Sequence, residues 1–482
     1  MNSNRETIRG QKGVALIISL VVLLLLSTIA ASLIFATQTE MWASVNYRIL
    51  VQSRYAAEAG AQQGINWIEY NYTPPTSAAI GSYDMTKTPV LYNGAPVVLS
   101  AMSGVTSNYP DSTVRSAFST ALSSQSVPGV PNSTYSVTAE LLYMRAVTGS
   151  FASPGTQYLQ TWQITSQGSL TGVKSATTQV IETIDKTGTP IFVYAAFATS
   201  ANCSAINFSG GTITDSYNSS NGTYAATHSN TDGNVGTNGN MNMSGTTTIN
   251  GMLSGPNTNT GACPDVLTTS GGAVTGGLVA LTNPPSYPTP PAPSPTPPPT
   301  NQNISNICGG VSGCTDLAAT VPCPHGVAFA PGQFGNVNVA GGTCVTLSAG
   351  TYNINSLTLS GGSPLILNSG PVILNIAGTG TATAINLSGG SVTNNTGAPA
   401  NFQIVYGGTD AVILSGGSAS SAVVYSPNAP ITMSGSSAWY GAVIGSSVLD
   451  SGGAAIHYDA ALQNNFVTVG NFNPTAFTWS KN

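Results

Sequence analysis
The carboxylates of the second half of the chain are the residues best placed by type to do chemistry. Beyond residue 190 the acids are Asp215, Asp232, Asp265, Asp316, Asp410, Asp450 and Asp459. Glycoside hydrolysis takes a pair of carboxylates flanking one bond, and eliminative cleavage takes a cationic base beside calcium. No Lys or Arg lies between Lys186 and Lys481, so a cationic base is missing. Asp450 and Asp459, around His457, are the one close grouping, and a loop of solvated polar groups accounts for it without catalysis. The chain lacks the G-G-x-G-x-D calcium repeat, an EF-hand loop, a P-loop and G-x-S-x-G. The pattern predicts no catalytic residue, no metal and no cofactor.

Cys203, Cys263, Cys308, Cys314, Cys323 and Cys344 are the other chemically capable set. An even count in an exported domain favours disulfides, although six cysteines allow fifteen pairings. Zinc is the competing assignment. Cys308-x5-Cys314 followed by Cys323-Pro-His325 lacks the paired C-x2-C knuckles that zinc favours. Trp439 and Tyr440 are the aromatic pair expected to be exposed for contact with a glycan or another surface.

These residues sit in 482 positions of which 6% are charged and 41% hydrophobic, with a net charge of −5. So many apolar residues can build a core, unlike a disordered chain. The charge balance offers no footprint for nucleic acid. The second half must stay soluble on hydroxyls and amides.

At the N-terminus, Arg5, Arg9 and Lys12 precede an uncharged run from Val14 to Ala36. At about 1.5 Å per residue that run spans a bilayer core of about 30 Å. The basic residues hold the N-terminus in the cytoplasm. The run exceeds the length of a secretory signal's apolar region. A plain signal anchor and a long cleaved signal are the alternatives. Helical spacing of Trp42, Val45, Ile49, Ala56, Gly60 and Trp67 continues to Tyr70, where Pro74 and Pro75 follow.

Gly13-Val-Ala-Leu-Ile-Ile-Ser-Leu together with Tyr55-Ala-Ala-Glu-Ala-Gly60 resembles the N-terminal domain of PilX-type minor pilins and the related pseudopilins of type II secretion. The resemblance covers about residues 10–70. It implies cleavage by a prepilin peptidase between Gly13 and Val14, and packing of the helix among other pilins. Ile18 stands where most major pilins carry a Glu, which the resemblance associates with a tip or priming role. The section from Ala349-Gly-Thr-Tyr352 to Ile456-His-Tyr-Asp459 is similar to an uncharacterised β-helical domain found behind such N-termini.

Segments Ser133–Met144, Gln160–Thr165 and Ser175–Ile184 read as strands, the last two as a hairpin. Farther on, one unit recurs, beginning at Ile206, Met241, Val337, Leu357, Ile385, Val412, Ile431 and Val448. Each copy is a short alternating strand followed by a Ser-Gly turn. From Val337 the copies are 20, 28, 27, 19 and 17 residues apart. Such repetition marks stacked coils, because one coil alone cannot bury its apolar side. A β-sandwich with Gly-rich turns is the alternative. Asn, Ser and Thr at matched positions are expected to form hydrogen-bonded ladders, and Phe472, Phe477 and Trp479 to cap the open end.

The sequence thus predicts a mainly β protein with one long N-terminal helix, a small sheet region and a right-handed parallel β-helix. Its expected segments are a leader at 1–13, a transmembrane and amphipathic helix at 14–70, and a pilin-like β region at 71–190. The first part of the solenoid follows at 191–283, a Pro-rich tether or insertion at 284–300, and the main solenoid at 301–482. A domain boundary at the Pro-rich segment is the other option. The expected role is a minor pilin-like surface protein of the inner membrane, with its body in the periplasm and then on a pilus or the cell surface. Its expected partners are other pilins, prepilin peptidase, the membrane and a glycan or surface ligand, and not nucleic acid. A membrane-anchored β-helix enzyme acting on polysaccharide is the rival.

Overall fold
The computed structural model describes residues 7–75, 77–151, 153–172, 174–256, 263, 265–305, 314–318, 325–414, 419–436 and 438–481, without the side chains of 7–13, 77, 78, 314 and 481. It contains two compact units. Met1–Arg145, Tyr158–Thr187 and Gly470–Asn482 make up one, and Ala146–Gln157 with Gly188–Val469 the other.

The first unit opens on a single helix, Thr7–Tyr70. Its first half offers uncharged, mostly apolar side chains to its surroundings, from Val14 (57% exposed) to Phe35 (69%), and the hydroxyls of Ser19, Ser27, Thr28 and Ser32 bond back to main-chain carbonyls of the helix itself. Its second half turns to small residues. Ala56, Ala57 and Ala61 are buried, and Gly60 and Gly64 lie against Tyr135, Val137, Ile164 and Ser166. The sheet beneath runs in the order Val467–Lys481, Ala176–Pro190, Thr156–Leu170, Ser133–Thr148, Val98–Ser100. Thr156–Leu170 and Ala176–Pro190 form an antiparallel hairpin closed by Leu170 opposite Ala176. All three strands read from the sequence extend beyond the apolar segments that announced them, because backbone pairing continues past the buried stretch. A Cβ on Gly168 would collide with the main chain of Ser53 and Ala57, and Ser53 Oγ lies 2.7 Å from Thr178 Oγ1 in the buried interface. Helix Ser112–Leu122, capped by Asp111, adds Val114, Phe118 and Leu122 to the core, with Phe118 edge-on to Trp67 at 5.0 Å.

Phe472, Phe477 and Trp479 do not cap the stack. They lie on Val467–Lys481 in the sheet of the first unit, where Phe472 is buried and Arg54 lies over the Trp479 ring at 5.0 Å. The expected β region at 71–190 is likewise redrawn, since 146–157 and 188–190 belong to the second unit.

The second unit is built mainly of short parallel strands stacked in register, with Cys314–Leu317 set antiparallel on Gly326–Phe329. One ladder carries the recurring unit. Leu267 pairs with Met241, Met241 with Ile206, Ile206 with Val448, Val448 with Ile431, Ile431 with Val412, Val412 with Ile385, Ile385 with Leu357, and Leu357 with Val337. The leading apolar residue of every copy therefore sits in one column. Leu267-Thr-Thr-Ser-Gly-Gly-Ala273 is a further copy, hidden in the sequence by the absence of a second apolar residue. A second ladder stacks Ala273–Val274, Thr248–Ile249, Ile213–Tyr217, Ala455–Asp459 and 438–441. A third stacks Leu278–Leu281, Leu253–Pro256, Val235–Thr237, Ala196–Ala198, 443–445, 423–425, Phe402–Tyr406, Val372–Ile376, 350–354 and 332–334. The turns need left-handed backbone, as at Gly210 (φ 86°) and Gly361 (φ 63°). Amide ladders join neighbouring coils: Asn336 to Asn355 at 2.6 Å, Asn353 to Asn375 at 3.0 Å, Asn368 to Asn395 at 2.7 Å.

Chain order and stack order differ. The first coils of the chain rest on its last, Ile206 on Val448 and Ile213 on Ala455. The Pro-rich segment makes this connectivity work. Pro285 O accepts from Asn238, Pro288 O from the Tyr425 hydroxyl and Pro295 O from Asn353, at 3.1, 2.6 and 3.2 Å. Tyr287 packs on Phe197. These contacts descend the third ladder in order, at its third, fourth, sixth and ninth rungs. Its ten rungs make nine steps of about 4.8 Å, about 43 Å in all. Residues 284–300, extended at about 3.1 Å each, reach about 50 Å. The segment is a strap along one unit.

Asp450 occupies an apolar column, between Phe208 and Met433, and is fully buried. Its Oδ1 accepts from Ala454 N at 3.4 Å while Oδ2 has no partner. Burial raises its pKa from 3.8 to about 7, against the opposing hydrogen bonds from Thr212 and Ala454. The folded state therefore holds a proton that the unfolded chain releases near pH 3.8. This stabilisation is full below pH 3.8 and is lost as pH rises toward 7, about 4 kcal/mol in all at 1.36 kcal/mol per unit.

Two outcomes follow. Asp450→Asn, titrated by thermal unfolding, loses most of the decline in stability between pH 4 and 8, and at pH 8.5 it unfolds at a higher temperature than the parent. Gly168→Ala forces helix and sheet apart and costs about 1–3 kcal/mol, read as a lowered melting transition of the first unit with the second unchanged.

Candidate functional site
The second ladder brings together side chains that the sequence holds far apart. Asp215 on Ile213–Tyr217 lies beside His457 on Ala455–Asp459 because those strands pair in register. His457 Nδ1 is 2.6 Å from Asp215 Oδ1. Asp215 Oδ2 accepts from the Tyr224 hydroxyl at 2.8 Å and lies 3.1 Å from His228 Nε2. Tyr224 and His228 come from the 218–234 excursion between the second and third ladders, on and just after the short helix Tyr224–Thr227. The His457 ring packs against Tyr224 at 4.2 Å and Tyr440 at 4.6 Å, and Tyr217 stands edge-on to both tyrosines.

The electrostatics suit fastening. Burial raises the Tyr224 pKa, and the neighbouring Asp215 carboxylate raises it further, so the phenol stays a donor. Burial, then Asp215, does the same at Tyr440. Asp215 is 3% exposed and both its oxygens are engaged, leaving no free oxygen for a substrate. Among the described residues, no group of three or more His, Cys, Asp or Glu is arranged to hold a metal ion.

The other acids are dispersed. Asp459 does not meet His457 as a functional neighbour. It accepts from Ser219 N at 2.9 Å, Ser219 Oγ at 2.6 Å and Ala461 N at 3.1 Å, capping a short 3-10 turn, and burial raises its pKa. Asp410 accepts from Thr381, and Asp450 faces the core. The carboxylate that does pair with His457 is Asp215. Only the register between the first and last coils places it there, so spacing along the chain gave no signal.

Trp439 is not an exposed aromatic. It is 1% exposed, with a buried Nε1 that has no hydrogen-bond partner, because its position is inward in the strand that stacks on Ile456. Tyr440, the next residue, points outward and is half-buried under Tyr224. Cys203 and Cys263 form a disulfide that joins the loops preceding 206 and 267, and Cys344 is disulfide-bonded as well. Cys308, Cys323 and the side chain of Cys314 lie outside the described residues, as do Arg5 and the side chains of Arg9 and Lys12. Gly13 and Val14 lie within the helix Thr7–Tyr70, and no acid interrupts it until Glu40.

Comparison with known proteins adds two family matches. Residues 12–62 match the family described as PilX N-terminal, and residues 355–465 match a domain of unknown function, DUF7305. No curated protein matches the chain. Among solved structures, the crystal structure of the competence-associated pilin ComZ from Thermus thermophilus is similar over 90% of this chain and 97% of that chain. The identity is 13% and the TM-score 0.29, too distant to define a shared fold. Residues 12–62 thus carry a PilX-type N-terminal domain, and the domain at 355–465 is DUF7305.

Proposed function
We propose that this protein is a minor pilin-like subunit that enters or primes a type IV pilus-like fibre and carries the β unit as a display or adhesive domain. One observation carries the reading. The PilX-type match falls on a helix with an uncharged, mostly apolar and uncovered stretch at 14–36, while its second half is seated on a sheet. Such a helix suits two environments in turn, a bilayer and then a bundle of like helices. Cleavage between Gly13 and Val14 separates the two, and Ile18 in place of an acid suits a subunit at the tip. In this reading the protein is anchored once in the inner membrane, with both units on the far side, before assembly. Arg5, Arg9 and Lys12 set that orientation. The three stacked ladders are read as a right-handed parallel β-helix, the hand that parallel crossovers favour.

Display requires no reaction, and the engaged state of Asp215 supports a fastening role for the His457 cluster. The enzyme reading has that same buried Asp–His pair as its best support. His457→Gln distinguishes them. The expected result is faster hydrogen exchange across 218–234, with no activity on neutral or acidic polysaccharides in either form. Hydrolysis by the parent that vanishes in the variant would favour the enzyme.

Processing is tested by N-terminal sequencing and intact mass from membrane and sheared-surface fractions. The expected mature residue is Val14 in sheared fibres, and Gly13→Leu is expected to leave the full chain in membranes. An intact Met1 in the parent, confined to membranes, would reduce residues 1–36 to a signal anchor.

A further inference from the structure
The stack of the second unit ends in a coil that is built like the others and that no described strand covers. Leu267, Val274 and Leu278 occupy the positions of Met241, Ile249 and Leu253 in the coil beneath. Those three are fully buried. In the last coil Leu278 is 55% exposed, Val279 is 38% exposed, and Leu267 and Val274 are only partly buried. Each strand of this coil has a parallel partner below, and among the described strands no register places a partner above. The chain then leaves sideways as the strap, with Pro285 already at Asn238, and does not fold over the end.

We infer that this open coil is the docking surface for the same coil of a second copy of the chain. Three observations select a second copy. First, the coil's edge is a set of unpaired backbone groups, which recruit strands. Second, the protein already accepts coil-on-coil docking without chain continuity, since Ile206–Ser209 and Ile213–Tyr217 sit on strands from beyond residue 447. Third, residues 266–283 contain no charged side chain and Asp265, just before the first strand, is the single charge beside them, so two identical ends meet with little repulsion. Natural edges that must stay single carry Lys or Pro against this event, and this coil carries neither.

The geometry closes on itself. A two-fold axis across the stack sets the strands of one end antiparallel to those of the other. One ladder then meets its own copy while the remaining two exchange, so the contact is isologous and stops at two. Leu267, Val274 and Leu278 of each copy complete the apolar column of the other.

The test uses the full chain in detergent, with the photo-crosslinking residue p-benzoylphenylalanine at position 279. At about 100 µM, a concentration that half-saturates a weak dimer, illumination is expected to give a dimer whose crosslinked peptide lies within 267–281 of the second copy. Leu278→Lys and, separately, Thr268→Lys place charge at the open end and are expected to lower that yield at least tenfold, with the circular dichroism spectrum unchanged. The inference is overturned by absence of the dimer, by crosslinks to any other segment or protein, or by full yield in both lysine variants. A dimer held by the N-terminal helices alone gives no crosslink at 267–281, which separates this result from the fate of the pilin reading.

Discussion
In-register stacking of short parallel strands is the constraint on which the second unit depends. No single coil of this chain encloses an apolar centre, but each contributes one residue to a column, as Ile206, Val448, Ile431 and Val412 do. A column tolerates little variation inward and much variation outward. Loops of different length, such as the 218–234 excursion, leave the repeat without disturbing it. The same constraint explains the composition. Outward positions need groups that bond to the coil above and below, and Asn meets that need with a donor and an acceptor on one side chain, as Asn353 and Asn375 show. Charges would repel along such a column.

The helix of the first unit answers a different constraint with one continuous element. Its uncovered stretch at 14–36 carries no charge and is dominated by large apolar side chains, which suit lipid or like helices. Its seated half has Ala56, Ala57, Gly60, Ala61 and Gly64, which let a helix approach a sheet closely. The change from large to small residues marks where its surroundings change.

Much of this was legible in the sequence, for identifiable reasons. The apolar run and the Ser-Gly repeat are local patterns, and the eight copies read from the sequence lie in a single ladder. What stayed hidden was non-local. The pairing of Ile206 with Val448 follows from the path of the strap, and no local pattern encodes a path. Asp215 was therefore invisible as the partner of His457, and proximity along the chain grouped only Asp450 and Asp459 with it. Trp439 failed for a simpler reason: alternation puts one of two adjacent aromatics inward, and residue type alone suggested that both face out. Phe472 and its neighbours read as a cap because the last residues of a repeat usually serve as one, whereas here they form a strand of the first sheet.

The strap has a consequence for how the molecule is made. A chain that emerges from a membrane N-terminus first presents residues 196–281 well before 443–459 exist as a surface. The lower side of the first coil must wait, unpaired, for some 230 residues to arrive. Closure over so long a loop is slow, since its entropy is lost before any distant contact forms. A rigid polyproline path limits where the late half can travel, so it delivers the last coil toward the first. The constraint carried by the strap is thus one on the order in which surfaces can meet as well as on the finished fold.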